Sequence, residues 1–274
     1  MGSNHISAAV RIWNLVKGVS TADLERRIAM PVLVMLVGSP ANVQAVTERL
    51  AYETPLREMP GDIQSVRRVT RAVDAGQSPV GRNDIAIDCD AAATSEAELA
   101  RQMERIVDHH KKLRVAIAAA IPAMRPIVVD MISRDYSTTN AKIAAVSALP
   151  GIVPLGDIAM PLTAVGDIYL LTRNQMSLFL EIAAVYGLPP DLRARAREFA
   201  AVVGGAFLWR AAARQLVGIV PGGVGVVVKA GIAYAGTYAV GQAAALYLRR
   251  GGHRVGPREV THFLRNNVKL LKSP

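Results

Sequence analysis

Disulfide chemistry is excluded at the outset, because the 274 residues hold one cysteine, Cys89. No internal cross-link or cysteine-rich metal site is available to such a chain, which suits a reducing compartment. Aromatic residues are scarce as well, at 5%. That removes the stacking platforms on which single-stranded nucleic acids are held. Acidic residues thin out along the chain: from Ala201 onward Glu259 stands alone against ten Lys or Arg. The first ten residues have neither the basic nor the apolar region of a secretory leader, so the N-terminal half is expected in the cytoplasm.

A phosphate-binding loop is also missing. Val32 to Val37 is an apolar, β-branched run introduced by Pro31, ending in Gly38-Ser39-Pro40 and passing into a helical stretch from Ala41 to Ala51. Strand, glycine turn and helix open a βαβ unit. A nucleotide cradle needs a second glycine and a Lys-Ser/Thr pair five residues on, whereas Gly38 is followed by Ser39, Pro40, Ala41, Asn42, Val43 and Gln44. Residues 54–82 are rich in Pro, Gly and Arg and read as a connection with a short helix or strand between Ile63 and Val73. Asp84 to Asp88 reads as a second strand, Ser95-Glu96-Ala97-Glu98 as the capping box of a helix to His109, and Leu113 to Ala119 as a third strand. Two short amphipathic helices, Ile6 to Val16 and Thr21 to Ala29, precede this layer.

Three features of the layer bear on chemistry. Asp88 and Asp90 lie two apart at a strand's carboxyl end, where open α/β sheets bind ligands, and with Gly38 they are the weak candidates for a cofactor or magnesium site. Cys89 between two acids is disfavoured as a nucleophile and expected to be buried. His109 and His110 are adjacent, point about 100° apart on a helix and cannot share a metal; they suit an exposed helix end.

What the chain has in abundance is apolar helix. Thirty-four residues from Gln215 to Leu248 carry one charge, Lys229. The nineteen from Ala230 to Leu248 would span roughly 28 Å as a helix, near the thickness of a bilayer core. Gly231, Ala235, Ala239 and Ala243 form a small-residue stripe that favours close approach of another helix. A weak repeat precedes it. A helix from Ile127 to Leu149 leads to Gly151-Ile152-Val153-Pro154-Leu155-Gly156-Asp157 and a helix from Ile158 to Leu171 that leaves through Arg173-Asn174-Gln175. A helix from Ala206 to Val217 leads to Gly218-Ile219-Val220-Pro221-Gly222-Gly223 and the long apolar run. Between them lie an amphipathic segment from Met176 to Tyr186, a Gly-Leu-Pro-Pro break and an Arg-rich helix from Asp191 to Phe199.

These are two apolar hairpins with tips at Pro154, Gly156 and Pro221, Gly222. Arg134, Lys142, Arg173, Arg210, Arg214, Arg249, Arg250 and Arg254 flank them as the positive-inside tendency requires. Asp157 and Lys229 fall near the tips, while Asp167 is an intramembrane charge if the hairpin inserts; the alternative is a protein-packed bundle with Asp157 as a helix cap.

The motifs Ser147-Ala148-Leu149-Pro150-Gly151-Ile152-Val153-Pro154, Arg173-Asn174-Gln175, Ala183-Ala184-Val185-Tyr186-Gly187 and Ala233-Tyr234-Ala235-Gly236-Thr237-Tyr238-Ala239-Val240-Gly241-Gln242-Ala243 resemble those of the bacterial YcjF-like family of uncharacterised proteins, over roughly residues 122–251. The resemblance implies a membrane-associated helical domain, often fused to or encoded beside a GTPase. The N-terminal layer then looks like a degenerate GTPase-type fold, without its lysine-containing loop or its Asn-Lys-x-Asp motif. No catalytic residues carry over.

The expectation is therefore an α/β plus all-α chain: a small parallel α/β layer over residues 1–121, a helical domain with two apolar hairpins over 122–251, and a basic C-terminal helix over 252–274. Its expected function is a non-catalytic scaffold or partner-binding module on the cytoplasmic face of a bacterial inner membrane. A membrane and a protein partner or a second copy are expected, with no cofactor, nucleic acid or small-molecule substrate. The alternative is a soluble regulatory protein binding a nucleotide or metabolite near Gly38 and Asp88.

Overall fold

The computed structural model describes residues 19–53, 62–73, 85–146, 164–202 and 225–251. The chain forms two compact units. One comprises Ala22–Val129 with Ala184–Pro189; the other comprises Asp130–Ala183 and Pro190 onward, with Met1–Thr21.

The first unit is the α/β layer. After α1 (Ala22–Ile28), the strand β1 (Val34–Val37) buries Val34 and Leu36 and ends at Gly38. Helix α2 (Pro40–Leu50) starts with a proline whose fixed φ suits the first helical position, and it buries Val46 and Leu50. Helix α3 (Ile63–Val69) is capped by Asp62, whose carboxylate accepts from the Ser65 N–H at 2.9 Å. Thr70 ends that helix in an extended conformation, and β2 (Thr70–Val73) follows without a loop. Strand β3 (Ala86–Asp88) leads directly into α4 (Cys89–Thr94), then α5 (Glu96–His109) and α6 (Arg114–Ala120). In α5, Leu99, Met103, Ile106 and Val107 form one buried stripe, and the Ser95 hydroxyl accepts from the Ala97 N–H at 3.1 Å.

The sheet is parallel with β1 in the centre, in the order β2-β1-β3. Val34 pairs with Thr70 and Val37 with Val73 on one side; Leu36 pairs with Ile87 and Val37 with Asp88 on the other. A small parallel α/β layer near the N-terminus followed by helices is thus what the chain forms. Its third strand is not the expected one. Leu113 to Ala119, expected as a strand, is helix α6, because a short apolar run fits either state and four alanines at 116 and 118–120 favour the helix. The missing strand is β2, in the Ile63 to Val73 stretch expected to hold a helix or a strand; it holds both.

The second unit is helical. It contains most of α7 (Arg125–Val146) and α8 (Ala164–Val185), a helix α9 over 192–202, and α10 (Gly225–Arg249). Helix α8 runs straight through Arg173-Asn174-Gln175, where an exit was expected, because all three residues are compatible with a helix and the Asn174 and Gln175 side chains turn inward. Asp191 caps α9 through the N–H groups of Arg193 and Ala194. Phe199 of α9 meets Phe179 of α8 edge to face at 5.9 Å, both fully buried. Burial of each ring contributes about 1.5–3 kcal/mol.

Ile6 to Val16, Ala206 to Val217, both hairpin tips (Pro154, Gly156, Asp157, Pro221, Gly222) and the basic tail lie outside the described residues.

Candidate functional site

The crevice at the carboxyl ends of β1 and β3 is the place where an open sheet of this order would take a ligand. Gly38 and Asp90 meet there. A single Asp90 oxygen, Oδ1, accepts from the Asn42 side-chain amide at 2.8 Å, the Ser39 N–H at 3.0 Å and the Ser39 hydroxyl at 3.1 Å. These donors, led by Asn42, hold the Asp90 carboxyl below the usual carboxylate range although the side chain is exposed. The donors at the N-terminus of α2, which would face a phosphate in a nucleotide site, are thus engaged by the chain's own anion.

The surroundings reinforce this closure. Gly38 has φ +150°, and a Cβ on it would stand 2.9 Å from Asp90 Oδ1, so no larger residue fits beside the carboxylate. Asp88 does not join Asp90 at a common point: its carboxylate caps α4 by accepting from the Ala91 N–H at 3.0 Å. Gln102 of α5 clips the end of β3, accepting from the Asp88 N–H at 2.9 Å and donating to the Asp88 carbonyl at 3.2 Å. Arg49 of α2 donates to the carbonyls of Ala92 and Ser95 and so braces the turn that carries Asp90. Cys89 is buried beneath, its thiol pushed up to about 12 by desolvation and by the charges of Asp88 and Asp90. A thiol held protonated is a poor nucleophile. No group of three His, Cys, Asp or Glu among the described residues is arranged to hold a metal ion. His109 ends α5, exposed, with Nδ1 2.9 Å from the Arg105 carbonyl, and His110 follows it.

The second candidate is the helical unit. Asn140 of α7 is completely buried; its amide donates to the Thr237 hydroxyl of α10 at 2.7 Å, and its carbonyl accepts from Asn174 of α8 at 2.6 Å. This polar layer fixes three helices at one height. Toward the N-terminus of α7, Tyr136 donates to Glu181 at 3.0 Å, Tyr238 donates to Asp130 at 2.6 Å, and Arg134 pairs with Asp130 at 2.7 Å. Burial, then the Asp130 bond, raises the Tyr238 pKa, so the phenol stays a donor. α7 therefore runs antiparallel to α8 and α10. The helices α7 and α10 approach closely at Gly241, where a Cβ would collide with the Ser133 hydroxyl.

The small-residue stripe is partly outside this contact. Gly231 and Ala235 are exposed, nothing lies within 4 Å of a Cβ at Gly231, and Ala239 and Ala243 are half-buried. Gly241, which the spacing of that stripe passes over, makes the close approach instead. Lys229 is half-exposed and Arg250 exposed, whereas Arg249, expected among the flanking cations, is buried. Asp167 falls within α8.

Among the described residues of this unit, three large apolar side chains are exposed. Val146 is 45%, Leu170 39% and Val227 73% exposed. Counted from the Asn140–Asn174–Thr237 layer at 1.5 Å per residue, they lie about 9, 6 and 15 Å away, all in the same direction, because α7 is antiparallel to the other two. Asp130, Arg134 and Glu181 lie in the opposite direction. Among the described residues no helix is long and apolar enough to cross a membrane, and the middle of the Ala230 to Leu248 stretch is bonded to α7 through Thr237 and Tyr238 and lies close against it at Gly241. No family model, curated protein or solved structure matches this chain.

Proposed function

We propose that the chain is a non-catalytic, membrane-associated protein that touches the cytoplasmic face of a bacterial inner membrane with one end of its helical unit. There it acts as a scaffold or partner-binding module for a GTPase or a second copy of itself. The observation that carries the reading is that, among the described residues, the exposed Val146, Leu170 and Val227 all lie to one side of the Asn140–Asn174–Thr237 layer, with the Tyr136–Glu181 and Tyr238–Asp130 bonds on the other side. In the sequence, segments 147–163 and 203–224, which hold the Pro-Gly motifs, immediately precede α8 and α10. Lys229, half-exposed in the same half of α10, has the stem length to keep its ammonium among head groups. Anionic lipids add about 1 kcal/mol per basic residue near the surface, and the basic residues of 252–274 supply several.

The test is co-sedimentation with vesicles of phosphatidylethanolamine and phosphatidylglycerol, on the whole chain and on Leu170→Glu/Val227→Glu. Both positions are exposed, so the variant is expected to fold. The wild-type chain should pellet and the variant should lose most of that binding. Wild-type protein that stays in the supernatant, or a variant that pellets equally well, would overturn the reading.

A further inference from the structure

A groove of about 760 Å³ opens on the α/β unit between β1, β2, α2 and α3, within the roughly 300–1,000 Å³ range of small-molecule sites. Its apolar wall includes Leu33, which is 54% exposed, with Met35, Val43 and Ile63. Its cations are Arg67 and Arg71. The placement follows from the elements. Arg71 is paired in register with Met35, so the two side chains stand together on one face of the sheet. Ile63 and Arg67 are one turn apart on α3. On each wall, then, an apolar side chain adjoins a guanidinium.

Neither the Arg67 nor the Arg71 guanidinium makes a hydrogen bond or ion pair among the described residues. The acid on the wall, Glu48, accepts from Gln44 at 3.2 Å instead. Two guanidinium groups so close in the chain present planar donor forks suited to carboxylate or phosphate. An inorganic anion leaves the apolar wall wet, and a neutral hydrocarbon leaves the arginines without a counter-charge. We infer that the groove binds a single-chain anionic amphiphile, with its carboxylate or phosphate on Arg67 and Arg71 and its tail along Leu33, Met35, Val43 and Ile63.

Displacement of bound cis-parinaric acid from the whole chain tests this, with dodecyl phosphate, dodecanoate, dodecanol and inorganic phosphate as competitors. The two anionic amphiphiles should displace the probe, dodecanol should be weaker by about tenfold or more, and inorganic phosphate should fail. In Arg67→Gln/Arg71→Gln, both at exposed positions, the anionic amphiphiles should weaken by about tenfold while dodecanol is unchanged. Leu33→Glu should weaken them independently. The inference is overturned if dodecanol matches dodecyl phosphate, if inorganic phosphate competes as well as its dodecyl ester, if the arginine variant binds like wild type, or if no amphiphile displaces the probe.

Discussion

Asp90 shows how one side chain settles what a strand end can do. Its carboxylate is charged in the folded state below its ordinary titration range, because Asn42 and Ser39 donate to the charged form. A depressed folded pKa contributes stability that is present above the unfolded value and lost as pH falls through the folded one. The melting temperature of the wild-type chain should therefore drop below about pH 4. Asp90→Asn should melt lower than wild type near neutrality and show a shallower drop over that acid range. Melting curves from pH 7 to 3 check this, and equal acid slopes in the two proteins would remove the assigned role. The sequence marks Asp88 and Asp90 as strand-end acids, and both are. That one would cap α4 and the other would lie against Ser39 and Asn42 is not legible there, since those partners arrive from about fifty residues away through strand order.

At the scale of elements, the strongly patterned stretches are readable: the Ser95-capped α5, α2 after its glycine turn, α7, and the Asp191-capped α9. The failures have a shared cause. β2 is four residues of Thr-Arg-Ala-Val paired on one side, too short and too polar to carry a period, while the apolar Leu113 to Ala119 mimics a buried strand and is a helix. Helix contacts are similarly hidden, because Gly231 and Gly241 look alike in the sequence and only the second lies against the side chains of neighbouring helices, Ser133 and Leu178. Gly241→Ala should cost about 1–3 kcal/mol by overpacking against Ser133. The Ser133 hydroxyl has no hydrogen-bond partner, so Ser133→Ala alone should be nearly neutral. The double variant should regain most of the loss, and urea titrations of the three proteins measure the coupling.

Over the whole molecule, the tail of α8 belongs with the layer laid down far earlier in the chain. Tyr186 donates to Glu53 at 3.0 Å, and Arg125 stands 5.5 Å from the centre of its ring. Glu53 is buried, so Tyr186→Phe should destabilise the α/β unit by about 1–2 kcal/mol, with hydrogen exchange rising around α2 and little change in α10. An unchanged exchange pattern would show that the long-range bond contributes nothing.

The same six residues, Ala184–Pro189, bear on inheritance. A gene crossover at codon 129 would hand a descendant the front unit stripped of Tyr186, and its Glu53 would be left without that phenol. No single junction moves either half intact into a new lineage, because the chain passes between the units at 21/22, 129/130, 183/184 and 189/190, so the halves are expected to travel through genomes together.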